Sequence, residues 1–465
     1  MSICFCSVRQ LHHAAHHFLV ALVLASVVLI LEYHGMLNWL DTVSLRAVGS
    51  IHADERAASS FDPKDAPIPL LIGDEYFETA FRQESPLDRR ELARLIGRIL
   101  HERPAVLAID LDLSPGPNGS PGNAGQDELD TLLIRYSKDE KVPIVLTTPF
   151  PVVANALFAA KHAWLAKLCA GGIRLGYPQI VLSQGLVMRY TYRQPSLGLV
   201  ASGVGPEAKT APHGDGDLCA DVLAGPDKAV FLSKAFQPES IFGADDLRGQ
   251  RPINPDYLRK GGTLQRVIRG DNIDAALSGL GNRPVFLGSQ FDSRDEFLTP
   301  YGPQKGVVIH AATFYSERRP TNTVTHGIAV LLDLAFGVAA GFLFGAVWQR
   351  TNAASAMHGT EVLSFQHWLA ARIWLAAAFG LLVLWLVMLF YASAWLLTHD
   401  LWNNPGPMVV GVFVKTLLAS RVGLRDDEHR AKPTVGGAKA ALMRNADWLL
   451  LSPFVIWAGI LLFGH

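Results

Sequence analysis

Aspartates placed at the ends of apolar runs are the residues with the most chemical promise in this sequence. Asp74 closes IPLLIGDE (68–75), and Asp110 and Asp112 close AVLAIDLDL (105–113). Further on, GSQFDSRDEFLTPYGPQKGVVIHA (288–311) carries Asp292, Asp295, Thr299 and His310 behind another apolar run. In open α/β sheets, ligands bind outside the carboxyl ends of the strands. Several oxygens converging there can hold a cation or an amine, since hard cations favour oxygen ligands. The competing reading pairs these acids with Arg89, Arg90 or Arg103, or uses them as helix caps. His310 lies alone in an apolar run, which reads first as a hydrogen-bonded core histidine. Gly302 and Gly306 fit a turn that needs positive φ. No GxSxG elbow is present, and GPNGSPGNAG (116–125) lacks the Gly-Lys-Ser/Thr ending of a phosphate loop. No catalytic residue, metal site or cofactor is therefore expected, and the chain reads as a non-enzyme.

The elements around these acids follow a simple alternation. DAPIPLLIGDE reads as a strand, and SPLDRRELARLIGRILHERP as a helix with Leu92, Leu95, Ile96 and Ile99 on one face. Ser85 is the expected cap, with Pro86 at the first helical position. AVLAIDLDL is a second strand, DELDTLLIRYSKD a second helix and VPIVLTT a third strand. Strands alternating with helices imply crossover connections and a largely parallel sheet. GIRLGYPQIVL and LVMRYTYR read as further strands, paired with each other, and 204–249 as a loop region. PVFLGS is a strand, and GVVIHAATFYS a strand or a helix.

Apolar residues concentrate at the two ends of the chain. FLVALVLASVVLIL (18–31) with its flanks reaches the ~20 residues a bilayer crossing needs. Four more candidates follow at 324–348, 368–397, 405–420 and 448–464, which makes about five spans. Basic residues mark the cytoplasmic side. Arg9, Arg350 and the cluster Arg421, Arg425, Arg430, Lys432, Lys439 and Arg444 all fall on one side when the spans alternate. The expected organisation is a cytoplasmic N-terminus and anchor (1–37) and an extracytoplasmic domain (38–322). Three membrane helices (323–421), a basic cytoplasmic loop (422–447) and a fifth helix (448–465) complete it. Lys plus Arg is 41 against 42 for Asp plus Glu, so no global basic field points to nucleic acid. Asp333 and Lys415 sit at nearly equal depth in two spans of the same direction, at ~1.5 Å per residue. They are a candidate intramembrane ion pair. Cys169 and Cys219 fall in the outer domain, where a disulfide would persist.

The order of motifs resembles a known family. LIGDE, then PLDRRELARLIGRIL with RPAVLAIDLDLS, then DELDTLL, PVFLGS and DEFLTPYG with GVVIHA leading into hydrophobic helices, is similar to the type-two CHASE (CHASE-2) domain. The resemblance covers about 38–421 and implies an extracytoplasmic sensor in the bacterial inner membrane, with a mixed, largely parallel α/β sheet flanked by helices. The strand-end reading gives an expected ligand site drawn from Asp74, Arg89, Asp110, Asp112, Asp292, Asp295, Thr299 and His310. An aromatic-rich stretch common before the helix arginine is replaced here by Glu84–Asp88, and an Asp-Gly turn by Gln184-Gly185. Family members usually carry a cytoplasmic output domain, whereas only 421–447 separates the last two hydrophobic stretches. The expected partners are thus the lipid bilayer, a periplasmic ligand, a separate cytoplasmic effector and a second copy in a homodimer. The alternative is a non-catalytic membrane scaffold whose outer domain binds a periplasmic protein or envelope polymer.

Overall fold

The structure, a computed structural model, describes residues 43–49, 61–116, 123–148, 156–180, 182, 186–191, 195–204, 218–225, 250–292, 295–323, 364–397, 401–402, 405–406 and 409. The chain divides into two compact units. One holds Tyr33–Val324 with Tyr391–Asn403, and the other Met1–Glu32, Thr325–Phe390 and Asn404–His465.

Six short strands form the centre of the first unit. They are β1 (Ile68–Ile72), β2 (Val106–Ile109), β3 (Ile144–Thr147), β4 (Arg174–Gly176), β7 (Arg266–Ile268) and β8 (Pro284–Ser289). Their order is β4-β3-β2-β8-β1-β7, and every pairing is parallel. All residues of β1, β2, β3 and β8 are buried, as expected where helices cover both faces. Strand residues therefore alternate between two cores. Ile68, Leu70, Ile72, Leu107, Ile109 and Leu287 pack to one side, and Leu71, Ala108, Val145 and Phe286 to the other.

The first side is covered by helices that come early in the chain. A short α1 (Asp74–Thr79) precedes α2 (Arg89–His101), whose Leu92, Leu95, Ile96 and Ile99 are buried as their spacing requires. The cap of α2 is Asp88, not Ser85: its carboxylate accepts from the N–H groups of Arg90 and Glu91 at 2.9 and 3.2 Å. A carboxylate both caps the free amides and meets the positive helix end, so it outcompetes the serine upstream. Next come α3 (Gln126–Lys138), α4 (Ala156–Ala170) and, later, α6 (Leu218–Ala224). Helix α6 lies within 204–249, so that segment is not all loop.

The other side carries α5 (Leu197–Val204), α7 (Pro255–Leu264) and α9 (Gly306–Arg318), whereas α8 (Ile273–Leu277), ahead of β8, packs into the first core. GVVIHAATFYS is thus a helix, and residues Gly306–Ser316 of α9 are all buried. Strand β5 (Arg189–Thr191) does not pair with β4. It forms an antiparallel ribbon with β6 (Gln250–Pro252), while β4 closes the edge of the main sheet beside β3. Strands β9 (Glu296–Thr299) and β10 (Gly302–Lys305) form a hairpin. Finally β11 (Asn322–Thr323) pairs in parallel with β12 (Leu401–Trp402).

The second unit is described mainly through α10 (Ser364–Leu397), a helix of 34 residues that runs on into the first unit's Tyr391–Asn403 segment. Its side chains are described without a break only over 383–396. Among the described residues, no helix is long and apolar enough to cross a membrane, so the structure shows none of the five expected spans. The stretches 18–31, 324–348 and 448–464 and the charges Asp333 and Lys415 lie outside the described residues, as does most of 405–420.

Cys169, near the end of α4, is disulfide-bonded to Cys219 in α6, with 5.4 Å between the Cα atoms. Closing a loop of 50 residues removes enough chain entropy from the unfolded state for about 4 kcal/mol. Reduction, or Cys219→Ala, should lower the thermal midpoint of the first unit by roughly 5–15 °C. An unchanged midpoint in a thermal melt with and without reductant would contradict the bond.

Candidate functional site

Strand β8 arrives late in the chain yet lies between β1 and β2. The carboxyl ends of β2 and β8 are therefore side by side at a point where strand order reverses, the position at which α/β sheets take ligands. Asp110 is the first residue beyond β2, and its N–H donates to the Leu287 carbonyl of β8 at 2.7 Å. Beyond β8, Gln290 N–H donates to the Ile72 carbonyl at 2.9 Å and turns the chain toward Asp292 and Asp295.

Helix α9 starts at the same edge. Two glycines let it come close. A side chain on Gly288 would meet Val307 Cβ at 2.6 Å, and one on Gly198 of α5 would run into the His310 carbonyl. Gly306 serves the same purpose, because a Cβ there would strike the Asp295 carboxylate. Its role is close approach, and among the described residues only Gly302 of the two expected turn glycines has positive φ, at 103°. The Gly306 N–H donates to the Asp295 carbonyl at 3.2 Å, and Lys305 Nζ to the Asp292 carbonyl at 3.0 Å.

Three of the expected residues meet here. His310 Nε2 lies 3.8 Å from Asp110 Oδ2. Asp295 is near enough for Asp110 to raise its pKa. Burial is the largest cause throughout. It pushes Asp110 up to about 7. It also pushes Asp295 up to about 7, with Asp110 adding to the rise and Lys305 opposing it. It brings His310 down to about 4, against a hydrogen bond from the ring to the Pro178 carbonyl. Near neutral pH the cluster is thus a neutral imidazole beside two carboxyls that are about to ionise. His310 Nε2 has no hydrogen-bond partner, although the side chain is only 2% exposed.

The other expected residues lie elsewhere. Asp292 borders the cluster and also raises the Asp295 pKa. Thr299 is buried in the hairpin turn, where Oγ1 donates to the Gly302 carbonyl at 2.7 Å and accepts from Tyr301 N–H. Asp74 is exposed at the start of α1. Asp112 diverges from Asp110: it accepts from Ser114 and lies 3.5 Å from Lys161 of α4. Arg89 is almost fully buried and clamps the loop after β2. Nη2 donates to the Asp112 and Ser114 carbonyls at 3.2 and 3.0 Å, and Nε to Gln126 Oε1 at 3.2 Å. Burial lowers the Arg89 pKa while Asp112 and Asp130 counter it, so this arginine organises a loop. Sequence reasoning missed Lys305, whose place between two glycines ahead of a helix was a usable signal. It also missed Gly198 and the Pro178 carbonyl, whose roles arise only from packing between distant segments.

A family model described as CHASE2 domain matches residues 20–345 of the chain. No curated protein and no solved structure matches it.

The titrations set a pH dependence. Asp110 and Asp295 hold their protons to about 7 in the fold, but only to 3.8 as free carboxyls. Their stabilising contribution is complete below the lower value and is lost as pH rises to the upper one. His310 acts in the opposite sense: its folded value of about 4 lies below 6.5, so it costs stability below 6.5 and nothing above. From about pH 6.5 to 8 only the carboxyl loss remains. Asp110→Asn should flatten that decline and raise the thermal midpoint at about pH 8 by a few degrees, at roughly 2–4 °C per kcal/mol. An equal or steeper decline in the variant would contradict the buried-carboxyl account.

Proposed function

The chain belongs to the CHASE2 domain family, and from that premise we propose that it is a membrane-anchored receptor signalling to a separate cytoplasmic effector. CHASE2 domains are extracytoplasmic sensor domains. The outer α/β unit senses a periplasmic ligand at the carboxyl edge of its sheet, and about five membrane helices carry the change inward.

The observation that carries this reading is the pairing of β11 with β12. The chain leaves the outer unit after Thr323 and is back beside the same residues at Leu401. Between them lie two hydrophobic stretches, 324–348 and 368–397, enough for one crossing out and one return. The described part of α10 fits lipid contact, with Leu384, Val387, Met388, Tyr391 and Trp395 exposed. The disulfide suits an oxidising compartment. Helix α9 supplies the link, since it begins at the acid–imidazole cluster and ends four residues ahead of β11. No residue carries out chemistry in this scheme. The basic segment between Arg421 and Arg444 is the surface offered to the effector.

A photo-crosslinker at Arg430 or Lys439 in native cells, followed by mass spectrometry, tests the reading. Capture of a kinase, cyclase or other effector is expected. Capture of lipid or of the chain itself alone would contradict it.

A further inference from the structure

The edge cluster also indicates what kind of group it recognises. We propose that Asp110, Asp295 and His310 form a subsite for a primary ammonium group, the cationic end of a small amine; this deepens the sensor reading and rests on it.

Once Asp110 and Asp295 ionise, the three side chains of the cluster are all acceptors, and Asp295 has the Gly306 N–H as a donor. The imidazole donates to the Pro178 carbonyl, so the unpartnered Nε2 is the acceptor of a neutral ring. Its 3.8 Å separation from Asp110 Oδ2 is too long for a hydrogen bond, so the carboxyl does not satisfy the ring nitrogen. Among the described residues, neither Asp110 nor Asp295 is ion-paired with a lysine or arginine. The nearest cation, Lys305, is bound to the Asp292 carbonyl and lies 3.6 Å from Glu296. A primary ammonium carries three N–H donors, one positive charge and no acceptor, which complements two carboxylates and a ring nitrogen.

Other groups fit less well. An anion meets two acids. A quaternary ammonium brings charge without N–H donors. A guanidinium presents a planar fork suited to one bidentate carboxylate. Among the described residues, no group of three His, Cys, Asp or Glu side chains is placed to hold a metal ion. The surroundings leave the charge balance to the ligand. Helix α5 and strand β8 contribute no charged residue, and the hairpin adds only Glu296 and Lys305. His310 forms the floor, while Asp295 and Asp292 are partly exposed, so a ligand enters from the side of the loop that follows β8.

Proton linkage gives the proposal a signature. Carboxyls that are protonated near neutrality must release those protons to bind the cation. Affinity therefore rises with pH through the interval in which Asp110 and Asp295 ionise. Isothermal titration of the full chain in nanodiscs with ethanolamine, in phosphate and in HEPES, reads both affinity and proton release. Choline serves as the quaternary control.

Ethanolamine should saturate one site, bind roughly tenfold or more tightly at about pH 8 than at about pH 6, and release protons at the lower pH. Choline should bind at least about tenfold more weakly. Asp110→Asn and Asp295→Asn should each weaken ethanolamine by a similar factor, with thermal midpoints at or above the wild type excluding unfolding as the cause. Asp112→Asn should leave it unchanged. Absence of saturation, equal binding of choline, pH-independent affinity, or indifference to both variants would overturn the proposal. Effector capture at the basic segment needs no amine. Its persistence alongside failed ethanolamine binding would overturn this subsite and leave the sensor reading standing.

Discussion

Helix α9 lies directly on the sheet because Gly288 offers nothing beneath Val307 and Gly198 offers nothing beside the His310 carbonyl. That close approach buries the inner part of this edge, His310 included. It leaves His310 without a partner on Nε2 and largely buries the Asp110 carboxyl, whose pKa burial raises. The hairpin β9–β10 exists to deliver Gly306 to this place, with Asp295 pressed against the helix start. A single packing constraint thus explains both the shape of the site and its unusual protonation. A polar group in a dry position costs free energy unless something satisfies it, and that cost makes the edge responsive.

Much of the fold could be read in advance. Fully apolar strands, amphipathic spacing at Leu92, Leu95, Ile96 and Ile99, and strand–helix alternation indicated a parallel sheet, and all appear. Errors arose where tertiary context decides. Ser85 and Asp88 both qualify as caps by type, and the carboxylate takes the free amides. GVVIHAATFYS is apolar on every side, so its period could not distinguish strand from helix; it is a helix enclosed by the sheet, α5 and α7. β5 looked like a partner for β4 because they are near in sequence, yet β6 supplies its hydrogen bonds.

The site was only partly legible for the same reason. Acids at strand ends pointed to one edge of the sheet, and three of the eight residues converge there, with Asp292 bordering them. Arg89, Asp112 and Thr299 have the right chemistry, but Asp112 and Thr299 are bonded within their own loops, and Arg89 is turned to the loop after β2 with only Nη1 unpartnered. Sequence shows which residues can bind. Only the packed structure shows which still have a valence to offer.

The raised pKa values of Asp110 and Asp295 mean that their ionisation destabilises the edge at which α9 starts. Hydrogen exchange of the amides of 306–323, in the full chain at about pH 6 and about pH 8 with intrinsic rates corrected, tests it most directly. The account predicts that protection falls at the higher pH in the wild type and holds in a protein carrying both Asp110→Asn and Asp295→Asn. Equal protection at both pH values in the wild type would contradict it.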